Sequence, residues 1–308
     1  MFDLQRLRVL HELADRGTVA ATASALAMTP SAVSQQLKVL AKEAGVALLE
    51  PDGRRVRLTD AGRALVLRAD EVLAALDRAD AEMALYRDAP HGVVRIALFP
   101  SGAALLLPDV LAALDRSALD GTRVRVQASD EDLPPTAVSQ LLADYDVVLT
   151  HRDDRTPLRP DPRVVVRTLL REPIDVVVGA QHRLAGNAAV HPAELADEDW
   201  ISVRGGFPVD DVLLSIATVT GVQPRITQRL NDFRVIESLV AANRGVALMP
   251  RWAVTDSRLV VLPLADVRAG RVYELATRPH AERRLAVAAV LDAFAAAVAP
   301  LAETAAAQ

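Results

Sequence analysis

A chain of 308 residues, 51% hydrophobic and 24% charged, has room for two or three domains with cores of their own, and this composition excludes a disordered chain. The net charge of −5 excludes a global positive field, so binding to nucleic acid would need local basic residues. The lack of cysteine excludes disulfides and thiolate metal sites.

Aromatic residues make up only 3%, so the cores must be built from Ala, Val and Leu. Only Lys38 and Lys42 are lysines and the other basic residues are arginine, so arginine richness reflects composition rather than a ligand. The N-terminal segment is amphipathic and charged throughout, unlike a signal peptide. The most apolar run, 97–114, contains two prolines and Asp109, which argues against a membrane span. A soluble, cytoplasmic protein without membrane contact is expected.

The first helix is expected from Asp3 to Arg16, ending at Gly17, with Thr18 capping a second whose inner face is Val19, Ala23 and Leu26. A short turn, 27–29, leads to TPSAVSQQLKVL (29–40), where Val33, Leu37 and Leu40 form one helical stripe. Pro30 suits the first turn, where its missing N–H is no loss. Residues 47–58 read as a small hairpin turning at Asp52-Gly53. Thr59-Asp60 then caps a long helix reaching Asp88, along which Leu65, Ala69, Val72, Leu76, Ala79, Met83 and Tyr86 repeat at heptad spacing. That seam fits a subunit-pairing helix better than a helix packed on its own domain, and residues 89–92 form a plausible hinge.

From residue 93 short β-rich runs alternate with helices, which argues for α/β architecture with largely parallel sheets. Strands are expected at 93–99, 123–129, 146–151, 164–169, 174–180, 200–203, 225–230, 245–250 and 272–277. Helices are expected at about 103–116, 136–143, 209–220, 232–243 and 282–299. The polar segment 151–162 is either a crossing between two halves or a long surface loop, with the crossing favoured.

Two short helices, a tight turn, a third helix and a hairpin form a winged helix-turn-helix pattern, whose recognition helix enters the major groove. The outer face, Thr29, Ser31, Ala32, Ser34, Gln35 and Lys38, is polar and free of acid, so it can meet base edges and phosphates. Arg54 and Arg55 at the hairpin tip would grip the backbone. Residues 1–63 hold nine basic against seven acidic side chains, so this face matters more than the summed charge.

This segment resembles the DNA-binding domain of LysR-type transcriptional regulators, carried by Leu7, Gly17, Ala23, Leu26, Ala32-Val33-Ser34, Gln36, Leu40, Gly45, Leu58-Thr59 and Ala61-Gly62. LREPIDVVVGAQHRLAG (170–186), ELADEDWISV (194–203) and ITQRLNDFRVIESLVAANRGVALMP (226–250) are similar to the family's C-terminal half. The resemblance covers essentially the whole chain. It implies a multidomain fold: an N-terminal all-α winged helix-turn-helix (1–58), a linker and dimerisation helix (59–90), and a two-lobed α/β periplasmic-binding-protein-like sensor. Lobe I would comprise 91–161 and 265–300, and lobe II 162–264. The chain departs from the family at Leu10, Val19 and Leu49, where aromatics are usual, and at Pro51, where the wing usually starts with arginine. Its proline at 30 also comes one place early, leaving Ser31 in the usual proline position.

Ligands of open α/β sheets bind beyond the carboxyl ends of strands. The cleft candidates are therefore Pro100, Ser101, Gly102, Ser129, Thr150, His151, Arg204, Gly205 and Asn231. Arg204 could pair with a carboxylate, which suggests a small carboxylic acid. Asp130, Glu131 and Asp132 at one rim could equally favour a cationic or neutral ligand. His151-Arg152-Asp153 lacks the other kinase motifs, no nucleophile or phosphate-loop motif occurs, and no two histidines stand at metal-ligand spacing. No catalysis, metal or cofactor is expected. The expected partners are double-stranded DNA, a small effector, a second copy of the chain as homodimer or homotetramer, and RNA polymerase. The alternative is a small-molecule-binding or enzymatic α/β protein whose helical N-terminus makes protein contacts, which would need an exposed apolar patch.

Overall fold

The computed structural model describes residues 1–52, 55–85, 91–117, 123–132, 134, 137–157 and 161–306. The first core is enclosed by α1 (Leu4–Arg16), α2 (Val19–Ala25), α3 (Pro30–Ala44), the hairpin β1 (Leu49–Asp52) and β2 (Arg55–Leu58), and the start of α4 (Asp60–Leu85). Each early helix is bounded by the residues that favour its ends. Asp3, Thr18 and Thr29 accept from backbone N–H groups of the turns they cap, and Gly17 and Gly45 end α1 and α3 at positive φ. Leu10 is fully buried in this core and Val19 and Leu49 pack against it, so these aliphatic residues fill the same core.

The hairpin pairs from Leu49↔Leu58 to Asp52↔Arg55. Asp52, expected in the turn, is therefore the last paired residue of β1, and residues 53–54 lie outside the described set. Thr59 fastens α4 to the approach to this hairpin: its N–H donates to the Leu48 carbonyl at 3.1 Å and its hydroxyl to that of Ala47 at 2.8 Å. A Cβ on Gly62 would stand 2.1 Å from the Leu48 carbonyl oxygen, so only glycine permits this approach. Gly62→Ala is expected to lower stability by about 1–3 kcal/mol, the usual cost of overpacking, read as a lower midpoint in urea.

The sensor consists of β3 (His91–Leu98), α5 (Pro100–Ser117), β4 (Arg123–Asp130), α6 (Val138–Leu141), β5 (Val147–Asp153), β6 (Val165–Gly179), β7 (Asp199–Ser202), α7 (Pro208–Thr220), β8 (Arg225–Arg229), α8 (Phe233–Ala241), β9 (Val246–Pro250), β10 (Leu259–Leu262), β11 (Gly270–Thr277) and α9 (Leu285–Ala306). The strand order is β4-β3-β5-β11-β6-β9-β7-β8, with β10 also on β6. The outer sets β4-β3-β5 and β9-β7-β8 are parallel, but β11, β6 and β10 pair antiparallel, so the sheets are mixed rather than largely parallel.

The runs 164–169 and 174–180 form one strand, β6, which serves both lobes. Up to Pro173 it pairs with β11; from Ile174 it pairs with β9 and β10. Proline has no N–H to give a ladder, so a change of partner falls naturally there. The segment 151–162 is thus not the crossing: it links β5 to the first half of β6, and both flank β11. The chain passes between lobes inside β6, later than the 161/162 boundary read from sequence. The return lies near Ala269, after β10.

Each lobe has its own core. That of lobe I joins β3, β5 and β11 to α5 and α9 through Ile96, Leu106, Val110, Val287, Val290 and Phe294. That of lobe II is built around Trp200, Val212, Ile236, Val240 and Leu248. By length and composition α9 could cross a membrane, but Val287, Val290, Leu291 and Phe294 lie within the lobe I core. Helix α1 meets lobe I, where Arg16 donates twice to Asp144 at 2.9 and 2.7 Å and Arg278 donates to Asp15 at 3.0 Å.

Candidate DNA-reading helix and effector cleft

Helix α3 turns Val33, Leu37 and Leu40 into the core and leaves Thr29, Ser31, Gln35 and Lys38 exposed, with Ala32 and Ser34 half-buried beside them. Thr29 accepts from the Ala32 N–H at 3.2 Å, and its hydroxyl lies 3.0 Å from that of Ser31. The start of the helix is thereby fixed while its outer face carries donors and acceptors. In the hairpin, Arg57 pairs with Glu50 at 3.0 Å. Arg54 lies outside the described residues, and Arg55 is described only through its backbone, as the first residue of β2.

Between the lobes is a cavity of about 590 Å³. Lobe I contributes Phe99 and Ser101 around the start of α5, Asp130 at the end of β4 and Asp132 just beyond it, His151 on β5 and Arg271 on β11. Phe207 at the start of α7 and Asn231, Phe233 and Arg234 around the start of α8 come from lobe II, with Trp252 and Thr255 from the segment after β9. Four aromatic rings in so aromatic-poor a chain make this its most aromatic wall.

The floor of the cleft is a closed polar network. Arg271, 1% exposed, donates to Glu172 at 2.8 Å, to the Tyr273 hydroxyl at 2.7 Å, to Ser101 Oγ at 3.1 Å and to His151 Nδ1 at 3.2 Å. Glu172, fully buried, also accepts from Tyr273 at 2.8 Å and from the Trp252 N–H at 2.7 Å. Buried charges are tolerated only when paired and hydrogen-bonded in this way. A guanidinium can only donate, so His151 Nδ1 must accept, which places the ring proton on Nε2. The ring stacks on Phe99 at 4.1 Å between centroids and meets Phe207 across the cleft at 6.4 Å.

Burial, then the neighbouring Arg271 charge, holds His151 well below its ordinary pKa of 6.5, so the ring is neutral. A lowered folded pKa means that the unfolded chain takes up the proton first as pH falls. The stability present above the ordinary value is therefore lost below it. His151→Phe is expected to remove one proton from the dependence of unfolding free energy on pH between about 6.5 and 5, a slope change approaching ~1.4 kcal/mol per pH unit. Urea unfolding at several pH values measures it; an unchanged slope would show the imidazole to be charged in the folded state.

A family model for the bacterial regulatory helix-turn-helix protein, lysR family, matches residues 4–63, and one for the LysR substrate binding domain matches residues 87–299. The chain belongs to the LysR family. Its curated LysR relatives include the transcriptional dual regulator GltC of Bacillus subtilis, 28% identical over 84% of this chain and 85% of that protein. A probable hydrogen peroxide-inducible genes activator of Streptomyces viridosporus is 29% identical over 91% of this chain and 89% of that protein. Among solved structures, full-length OxyR C199D from Pseudomonas aeruginosa aligns with a TM-score of 0.64 at 20% identity, covering 96% of this chain and 98% of that one. Full-length CbnR complexed with its target DNA aligns at 0.51 and 19% identity, covering 95% and 100%. These structures share the fold of a helix-turn-helix reader, a linker helix and a two-lobed α/β LysR sensor.

Within that LysR architecture, the cavity brings together Pro100, Ser101, His151 and Asn231 of the cleft candidates. Gly102 is a packing glycine, where a Cβ would meet Phe99 at 2.5 Å. Thr150 alternates with His151 along β5, opposite Glu274, and so faces the other way. Ser129, exposed near the end of β4, lies outside the cavity lining. Arg204 and Gly205 lie outside the cavity lining. Arg204 is bound to Asp132, and its backbone N–H donates to Asn231 at 2.9 Å. The residues missed by sequence reasoning are Arg271, Glu172 and the aromatic wall. In an arginine-rich chain one more arginine carries no signal. The available clue was a charged residue at the edge of an apolar strand, Arg271 before VYELAT, with Glu172 set in another.

Proposed function

We propose that this chain is a sequence-specific transcription factor in the cytoplasm, that its α3 reads double-stranded DNA in the major groove, and that a small effector binding between the lobes controls it. The observation that carries the reading is the exposed, acid-free, hydrogen-bonding face of α3 above a buried Val33-Leu37-Leu40 stripe. Ser31, Ser34 and Gln35 contact base edges, Thr29 and Ala32 approach the backbone, and Lys38, Arg54 and Arg55 neutralise phosphates. Two copies pair through α4 and place two reading helices on a dyad-related site. Effector binding changes the lobes and, through the Arg16–Asp144 and Asp15–Arg278 contacts with α1, the placement of those helices on DNA beside RNA polymerase. No thiol response is available, because the chain has no cysteine. The protein acts as a regulator and not as an enzyme. A protein-contact helix would show an apolar outer face, which α3 lacks.

Fluorescence anisotropy of the full-length protein on its own upstream DNA and on scrambled DNA, at several salt concentrations, tests the reading. Lys38→Ala is expected to weaken both complexes alike and to reduce the salt slope by about one. Gln35→Ala is expected to cost about 1–3 kcal/mol on the specific site and little on scrambled DNA. Equal loss on both DNAs would remove Gln35 from base readout.

A further inference from the structure

Two polar groups on the lobe I wall of the cleft have hydrogens to offer. The His151 Nε2–H is buried and without a partner among the described residues, in a side chain only 7% exposed. Ser101 accepts from Arg271 through Oγ, which leaves its own hydroxyl proton to give. A buried donor left unpaired is costly, so the site is built for an acceptor that no described residue supplies.

The charges of the cleft, by contrast, are already matched. Arg271 is neutralised by Glu172, Arg234 pairs with Glu237 at 3.1 Å, and Arg204 is bound to Asp132. Asp130, Asp132 and Asp232 add carboxylates to the lining. An anion entering here would lose its hydration without finding an unmatched cation among the described residues, and it would face an acidic rim. A cation would meet only donors and the positive ends of helices at the inner wall. Phe99, Phe207, Phe233 and Trp252 supply flat apolar area on either side.

We propose that the effector is an uncharged molecule with a planar, apolar body and an acceptor oxygen, and that this oxygen is held by the His151 Nε2–H and the Ser101 hydroxyl. The proposal rests on the reading of the cleft as the effector site. It moves the anchor from Arg204, whose guanidinium is engaged, to His151. The Arg271–Glu172 pair acts as a positioning group: by donating to Nδ1, Arg271 holds the tautomer that presents Nε2–H to the ligand.

The test is calorimetric titration of the full-length protein with three probes of one size and three charges: acetophenone, benzoate and benzamidinium. Acetophenone is expected to bind at least tenfold more tightly than either ion. His151→Phe, which keeps the ring on Phe99 but removes the donor, should weaken acetophenone about tenfold and leave benzoate unchanged. His151→Gln, which restores an N–H, should recover part of that loss. The ratio among probes in the unaltered protein stands even if a variant folds poorly. Tighter binding of benzoate or of benzamidinium would overturn the uncharged class while leaving the cleft as the site. Equal weakening of all three probes by His151→Phe would overturn His151 as the anchor. Binding of none of the three would overturn both the class and the cleft reading.

Discussion

Replacing Glu172 with Gln is expected to destabilise the sensor by about 3–5 kcal/mol, because removing one partner of a buried ion pair leaves the other charge uncompensated. Glu172 is fully buried and Arg271 is 1% exposed, so no water can replace the lost carboxylate. The amide would also set its own N–H donors against those of Arg271, Tyr273 and the Trp252 backbone, all of which now point at Glu172. At about 2–4 °C per kcal/mol for a domain of this size, the sensor melting temperature should fall by roughly 10 °C, read by calorimetry on the full-length protein. Glu172→Met with Arg271→Met should cost less than the sum of the two single changes, since the double variant buries no orphaned charge. Strict additivity would mean that the two groups do not interact as their geometry requires.

Leu76→Asp is expected to abolish pairing and with it most DNA affinity. The heptad positions of α4 divide by surroundings. Ala69 is fully buried and Leu65 packs beside it against the reader core, so these two belong to their own domain. Further on, Val72, Leu76 and Met83 are 42%, 44% and 50% exposed, and Ala79 is exposed as well. None of these four belongs to a hydrophobic core among the described residues, and such an apolar stripe is the arrangement a second α4 would cover. Covering one such leucine is worth roughly 1.5–3 kcal/mol, and an aspartate there adds the cost of desolvating a charge. Sedimentation should show a monomer for the variant and an oligomer for the unaltered chain. Affinity for a two-half-site operator should fall by about 10² or more, as one reading helix loses its linked partner. A Leu76→Asp variant that stayed oligomeric would move the pairing surface away from α4.

The reader was legible in the sequence almost residue by residue. Its Thr18 cap, its Gly17 stop and the Val33-Leu37-Leu40 stripe are local features whose physics acts within a turn or two of the chain. The heptad seam was legible as a period, but the period alone did not tell that Leu65 and Ala69 face their own domain while Val72 and Leu76 face outward. β10 went unseen because LVVL (259–262) is uniformly apolar and shows no alternation, and β6 was read as two strands because its proline looked like a break.

For the cleft, sequence order located the strand ends and so Pro100, Ser101, His151 and Asn231. It revealed neither Arg271 nor Glu172, which are 99 residues apart and meet only because β6 and β11 lie side by side. It left Arg204 open between a ligand's carboxylate and an ion pair within the chain, and Asp132, 72 residues away, is the partner it has. Local chemistry by itself determined the ends of the first helices, the polar outer face of α3 and the alternation of strands and helices beyond residue 93. Only the tertiary structure decided which charges are matched and which donor is left open, because pairing across sheets and between lobes depends on distances in space that no spacing along the chain records.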